Sequence, residues 1–368
     1  MIENSIKPKR PLVFRIAKVL IFLLFIFAAA GLLIRFVVPV VLNVFWGKDI
    51  APIDDSSMQL SVINLPSADN SFYDLAKIKN VVNIANVPTG EKLAIDFISS
   101  DSWDGAGVKS LLNDNQLVLQ YFNDAASKHK FQSPETANPD AMSQETIAMS
   151  SWRQAAQLSC IQSIWLAKNG KGEEALKVAM TVMAVGDQIE KSQANLLTYL
   201  LGISLKKNAL DTLQKVLSIS NINQQTRLEY KNELVAYSLS DNSSIWKFEY
   251  LLRKNVINGF ATGKYDLSET SIPEYITLKT SYHFKPNLSI KELFSYYSKL
   301  INDAKNPCTL NNSKTNEINI KLSPNFKWYF TENAVNKILM STSDLALKQV
   351  LVNKCKIQQE YWEVLADF

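Results

Sequence analysis

The sequence predicts an all-α or mainly α chain, with one N-terminal transmembrane helix followed by an irregular antiparallel array of helical hairpins. Three observations carry that expectation. A long apolar run begins at Val19, behind a basic flank. From Gln144 onward, apolar residues recur at helical spacing through several consecutive stretches. Short Gly- or Asn-containing turns, such as Asn169-Gly170, separate those stretches.

The first element is the apolar run. VLIFLLFIFAAAG from Val19 to Gly31 continues past Arg35 to Trp46, and a spanning helix needs roughly 20 mainly apolar residues. Arg35 falls in the outer half, where a long side chain can snorkel, and Phe45 and Trp46 fall where aromatic residues mark an interface. Residues 1–48 carry Lys7, Lys9, Arg10, Arg15, Lys18, Arg35 and Lys48 against Glu3, so the basic balance belongs to this flank. The expected boundaries are a cytoplasmic tail at 1–18 and an anchor at 19–46, with everything after it outside the cytoplasm. A cleaved secretory signal ending at Ala28-Ala29-Ala30 is the rival reading.

Residues 47–106 read as linker and irregular chain, rich in Pro, Asp and Ser. Within them SFYDLAKIKNVV (71–82) predicts a short helix capped by Ser71 with Asp74 three residues on. Residues 107–258 form the expected hairpin array. A helix runs from Val108 to Lys130, and a long one from Gln144 stops at Asn169-Gly170. GEEALKVAMTVMAVG ends at Gly186, the next segment supplies a third and a fourth helix, and QQTRLEYKNELVAYSLSD a fifth. Residues 259–368 read as a mixed segment followed by helix. Asn287 or Ser289 caps a helix whose apolar face is Leu293, Phe294, Tyr297 and Leu300, and the last helix has a possible break near Ser341 to Ser343.

LAKNGKGEEALKVA resembles the turn between paired helices in tetratricopeptide-like repeats, with Ala155, Ala156, Ser159 and Ser163 as the small-residue surface, although no strict repeat period emerges. RQAAQLSCIQSIWLAKNGKGEEAL, NLLTYLLGISLKKNALDTLQKVL and FKPNLSIKELFSYYSKLI occur in an order similar to that of a loose group of bacterial membrane-anchored proteins. These have helical, tetratricopeptide-like outer domains and generally no assigned function. The resemblance spans roughly Leu111 to Leu351, its most specific element being Lys285-Pro286-Asn287. It implies an anchor plus a helical domain and no reaction.

Chemistry-bearing residues are sparse, and no catalytic, cofactor-binding or metal-ligating residue and no cofactor is assigned. The two histidines, His129 and His283, have no second ligand at a recognisable spacing. Cys308 beside His283 is the least implausible thiol–base pair. Asp101 and Asp104 flank Trp103, and Glu173 and Glu174 open a helix, where the dipole favours acids anyway. Tyr296, Trp328, Tyr329 and Phe330 could join Phe294 and Tyr297 in an aromatic patch. Of the three cysteines, Cys160 reads as a buried free thiol, and whether Cys308 and Cys355 pair is left open.

These readings imply a membrane-anchored scaffold or interaction protein of the bacterial envelope. Its expected partners are the lipid bilayer, through residues 19–46, and another envelope protein; no nucleic acid is expected, since residues beyond 48 sum to −2. Alternatives are a carboxylate-dependent hydrolase of cell-wall or peptide material, and an accessory subunit of a transport or secretion complex. The expected location is the bacterial inner membrane, single-pass.

Overall fold

The computed structural model describes residues 26–29, 31, 48–61, 64–81, 105–133, 142–238, 243–264, 284–305, 307–308 and 334–368. Ten named α-helices lie among them: α1 (Phe72–Ile78), α2 (Gly105–Asp114), α3 (Gln116–Ser127), α4 (Met142–Lys168), α5 (Gly172–Glu190), α6 (Leu196–Ile219), α7 (Gln224–Ala236), α8 (Ser243–Thr262), α9 (Pro286–Asp303) and α10 (Ala334–Asp367). No strand occurs among the described residues; an isolated parallel bridge joins Asn70 to Lys130. The chain divides into two compact units: Met1–Pro52 with Gly259–Ser289 and Lys321–Met340, and Ile53–Asn258 with Ile290–Ile320 and Ser341–Phe368.

The expectation of a transmembrane helix is corrected. Among the described residues no helix is long and apolar enough to cross a membrane. Of the expected span 19–46, residues 26–29 and 31 are described and helical, and the rest lies outside the described residues.

In the second unit, the core is built on α4, α5 and α6, each packed against both others, so the array is closed into a bundle. The composition of α6 requires this position. Tyr199, Leu201, Ile203, Leu205, Leu210, Leu213 and Val216 point around the whole helix and all are buried, the pattern of a helix enclosed by neighbours. Its start is fixed by Asn195, whose side-chain oxygen accepts from the Thr198 N–H at 2.9 Å. The turn into α5 follows from Gly170 at φ +77°. Lys171 N donates to Leu166 O at 2.9 Å and Gly170 N to Ala167 O at 3.1 Å, a Schellman closure that favours glycine. Ala155, Ala156, Ser159 and Ser163 are all buried, and the Ser163 hydroxyl donates to Ala175 O at 2.7 Å, tying α4 to α5.

A short helix, α1, seats on this core through aromatic edges. Phe72, Phe131 and Trp152 form three edge-to-face pairs at 5.8–5.9 Å between ring centroids, and the Trp152 indole N–H donates to Leu75 O at 2.9 Å. Ser71 does not cap α1. Its hydroxyl donates instead to Lys130 O.

Several expected boundaries move for physical reasons. The single helix expected at 108–130 is two, because the Asn115 amide donates back to Leu111 O at 3.0 Å and the backbone turns there. Gly186 is no stop: α5 runs on to Glu190. The two helices expected after Gln193 are one, α6, and no break occurs near Ser341 to Ser343. In the first unit, neither Asn287 nor Ser289 caps α9. The Asp49 carboxylate accepts from Asn287 N at 2.9 Å and Leu288 N at 3.1 Å, a cap supplied from 238 positions away.

Gly186 and Gly202 exist for a close crossing of α5 and α6. A Cβ at Gly202 would lie 2.7 Å from the Glu190 nitrogen and 2.9 Å from the Gly186 carbonyl oxygen. Both obstacles are backbone, so the helices would have to separate. Gly202→Ala is therefore expected to destabilise by about 1–3 kcal/mol, despite alanine's better helix propensity. A urea midpoint unchanged by this substitution would contradict the close crossing.

Candidate functional site

Among the described residues of the second unit, two charged clusters with buried members differ in what they leave open. The first lies at the α5–α6 crossing. The Lys206 ammonium is 2.8 Å from Asp187 Oδ1 and 2.6 Å from Glu190 Oε2, and Lys191 is 2.7 Å from Asp187 Oδ2. Glu190 and Lys206 are sealed from solvent. Two carboxylates and two ammonium groups balance, and the enclosed cation is engaged by both acids. This cluster locks α5 to α6 in one register and offers a ligand no approach.

The second cluster is on α8. Tyr250 and Lys254 are four residues apart and so share one helix face. Both reach the carboxylate of Asp55, from the other end of the chain: the Tyr250 hydroxyl donates to Oδ2, and the Lys254 ammonium lies 2.5 Å from the same oxygen. Tyr250 is held from behind by α9, its ring meeting Phe294 and Tyr297 edge-on at 6.2 Å. One position earlier, the Glu249 carboxylate accepts from Leu196 N at 2.8 Å and so caps α6. A rigid phenol and an ammonium therefore converge on one point at the edge of the bundle. The Lys254 side chain keeps 24% of its surface exposed.

The electrostatics follow from these partners. Burial pushes the Asp55 carboxyl up, but the hydrogen bonds from Lys254 and Tyr250 and the ammonium's charge outweigh it, leaving the group below the usual carboxylate range. A depressed folded value means the contact stabilises above the unfolded value near pH ~4 and is lost as pH falls through the folded one. Burial raises Glu249, opposed by the Leu196 N–H and Arg253. Tyr250 is pushed well above the ordinary phenol range, by burial first and then by Asp55. It stays a hydrogen-bond donor. Two donors on one helix face thus hold a single carboxylate oxygen, that of Asp55.

Of the residues singled out from sequence, Phe294 and Tyr297 back Tyr250; the others fall elsewhere. Asp101, Trp103, Asp104, His283, Trp328, Tyr329 and Phe330 lie outside the described residues. Glu173 accepts from the Asn223 amide and, at 3.0 Å, from the Thr226 hydroxyl, which fastens the start of α7 to α5; Glu174 forms an exposed pair with Lys171. His129 is exposed at φ 62°. Cys308 is joined to Cys355 in a disulfide with 4.9 Å between Cα atoms, so it is no thiol nucleophile. Cys160 is a buried free thiol, pushed up to about 12 by burial and so unreactive. The sequence reading missed Asp55, Tyr250 and Lys254 altogether. The four-residue spacing on α8 was a visible signal, but nothing local linked it to an aspartate 195 positions away.

No family model matches the chain, and the chain is significantly similar to none of the curated proteins or solved structures. The resemblance to a group of bacterial membrane-anchored proteins is accordingly not upheld. The expectation of an anchored envelope scaffold at the inner membrane, partnered by the bilayer, is corrected because no described helix is long and apolar enough to cross a membrane; nothing among the described residues supports its hydrolase or transport-subunit alternatives. The described residues form an all-α bundle without a helix able to cross a membrane, and among them no three His, Cys, Asp or Glu side chains are grouped to hold a metal ion.

Proposed function

We propose that the helical bundle works by recognition, and that its site is the carboxylate receptor formed by Tyr250 and Lys254 on α8. One observation carries this reading. Two donors on a rigid helix, backed by Phe294 and Tyr297, converge on a single carboxylate oxygen borne by an irregular chain segment. Charge-assisted bonds of this kind are shorter and stronger than neutral ones, and aromatic backing fixes their geometry before the ligand arrives. The cluster at Lys206 lacks such access, which makes α8 the better candidate.

Chemical rescue tests the reading. Asp55→Gly removes the resident carboxylate and should lower the midpoint of thermal unfolding. Sodium acetate at tens of millimolar should restore part of that loss in Asp55→Gly, compared with sodium chloride at equal ionic strength. The same addition should do nothing for Asp55→Gly/Lys254→Met. Equal responses to the two salts would mean the site does not bind a free carboxylate, and the reading would fall.

A further inference from the structure

Residues 53–61 cross the bundle as an irregular segment with one 3-10 turn at Ser56–Met58. Among the described residues its side-chain attachments to the rest of the unit are few. The Asp55 carboxylate is held by Tyr250 and Lys254, Met58 is buried at 2% exposure, and the Ser61 hydroxyl accepts from the Gln193 amide at 3.0 Å. Between these anchors the chain bonds mainly to itself: Met58 N donates to Asp55 O, and Ser56 N to the Asp54 side chain. The segment is thus bound as a peptide would be, by an acid and by an apolar residue three positions on. Asp54, the neighbouring acid, is exposed and adds charge without entering the site.

We infer that residues 53–61 are a resident ligand, and that the α8 site takes an acidic, extended peptide of another chain once this strap lets go. The inference rests on the carboxylate reading above and adds the ligand class: an Asp or Glu followed, three positions later, by an apolar residue. Few anchors make local opening far easier than unfolding the bundle. The strap is nonetheless favoured by its tether, because an attached ligand has an effective concentration in the millimolar range. A peptide in trans therefore competes poorly with the intact strap and much better with a strap whose carboxylate has been neutralised. The strap both covers the site and reports what fits it.

The experiment uses the full chain and a fluorescent peptide copying residues 51–61. Anisotropy should show saturable binding to Asp55→Asn at least ten-fold tighter than to the parent chain. Binding should vanish in Asp55→Asn/Lys254→Met, and also when the peptide's own aspartate at position 55 is replaced by asparagine. Equal affinity for parent and Asp55→Asn, or binding indifferent to Lys254, would overturn the inference. Acetate rescue with no peptide binding would overturn it while leaving the carboxylate reading intact; failure of both would remove the two together. If Asp55→Asn does not fold, the parent chain serves with excess peptide. Amide exchange over residues 53–61 should then accelerate while α4, α5 and α6 keep their protection, and unchanged exchange over the strap would count against displacement.

Discussion

Replacing Lys206 with methionine is expected to lower the unfolding free energy by about 3–5 kcal/mol, the cost of leaving buried acids without their cation. Methionine matches the length of the lysine stem, so little volume is lost and the effect isolates the charge. Glu190, fully buried, and Asp187, 7% exposed, would face each other across the space the ammonium filled. Lys191 could neutralise only part of that charge, because it approaches Asp187 from the outside, on its other oxygen. The position also explains why the penalty cannot be relaxed away. The two helices cross closely at Gly186 and Gly202 and the Lys206 stem lies against Gly186, so the sealed Glu190 carboxylate has no short way out to water. Adding Glu190→Gln and Asp187→Asn to Lys206→Met should recover much of the loss, since the buried charges then disappear together. Urea unfolding of the parent, Lys206→Met and the triple variant measures this. A Lys206→Met chain within about 1 kcal/mol of the parent would mean that water or Lys191 already satisfies the acids, against the sealed geometry.

The helical segments of this chain were legible because their signals are local. Asn169-Gly170 stops α4, the spacing of Leu293, Tyr297 and Leu300 gives the inner face of α9, and the small residues of α4 mark a close contact. What failed depended on partners. Gly186 looks like a terminator when read alone; its role appears only when Gly202 lies against it. Lys206-Lys207-Asn208 lies within the segment expected to supply two helices. It stays helical because Lys206 is drawn inward by two acids from the preceding helix, while Lys207 faces outward to Asp211. The α9 cap and the α8 receptor were invisible for the same reason. Asp49 and Asp55 sit in a stretch whose Pro, Asp and Ser content reads as linker, and each is engaged by residues about 200 or more positions away. The membrane expectation fails on a different ground: among the described residues no helix is long and apolar enough to cross a membrane, and of the run 19–46 only 26–29 and 31 are described, all of them exposed.

Breaking the Cys308–Cys355 bond should have an effect of similar size. The link closes a loop spanning 47 positions, for which loop-closure entropy gives about 4 kcal/mol, with measured values for such bonds typically about 2–4. It ties the chain just after α9 to the middle of the second-unit portion of α10, where Cys355 is buried. Noncovalent packing continues on both sides of it: Leu347, Val350 and Leu351 lie before the bond, and Tyr361, Val364 and Leu365 after it. The last turns are held to α7 by the Tyr361 hydroxyl, which donates to Leu234 O at 2.9 Å. The reduced chain should therefore still fold, with a lower urea midpoint, and its weakest region should be α10 rather than the α4–α6 core. Comparing oxidised and reduced forms of one protein avoids the cavity that a cysteine substitution would leave at the buried site. Cys160 does not complicate the comparison, because its buried thiol, raised to about 12, is neither ionised nor exposed in the folded state. Thiol tagging under denaturing conditions should count one free cysteine in protein isolated without reductant and three after reduction, of the three in the chain. Three free thiols without reductant would show that the bond does not form, and coincident urea curves for the two forms would show that it does not stabilise the fold.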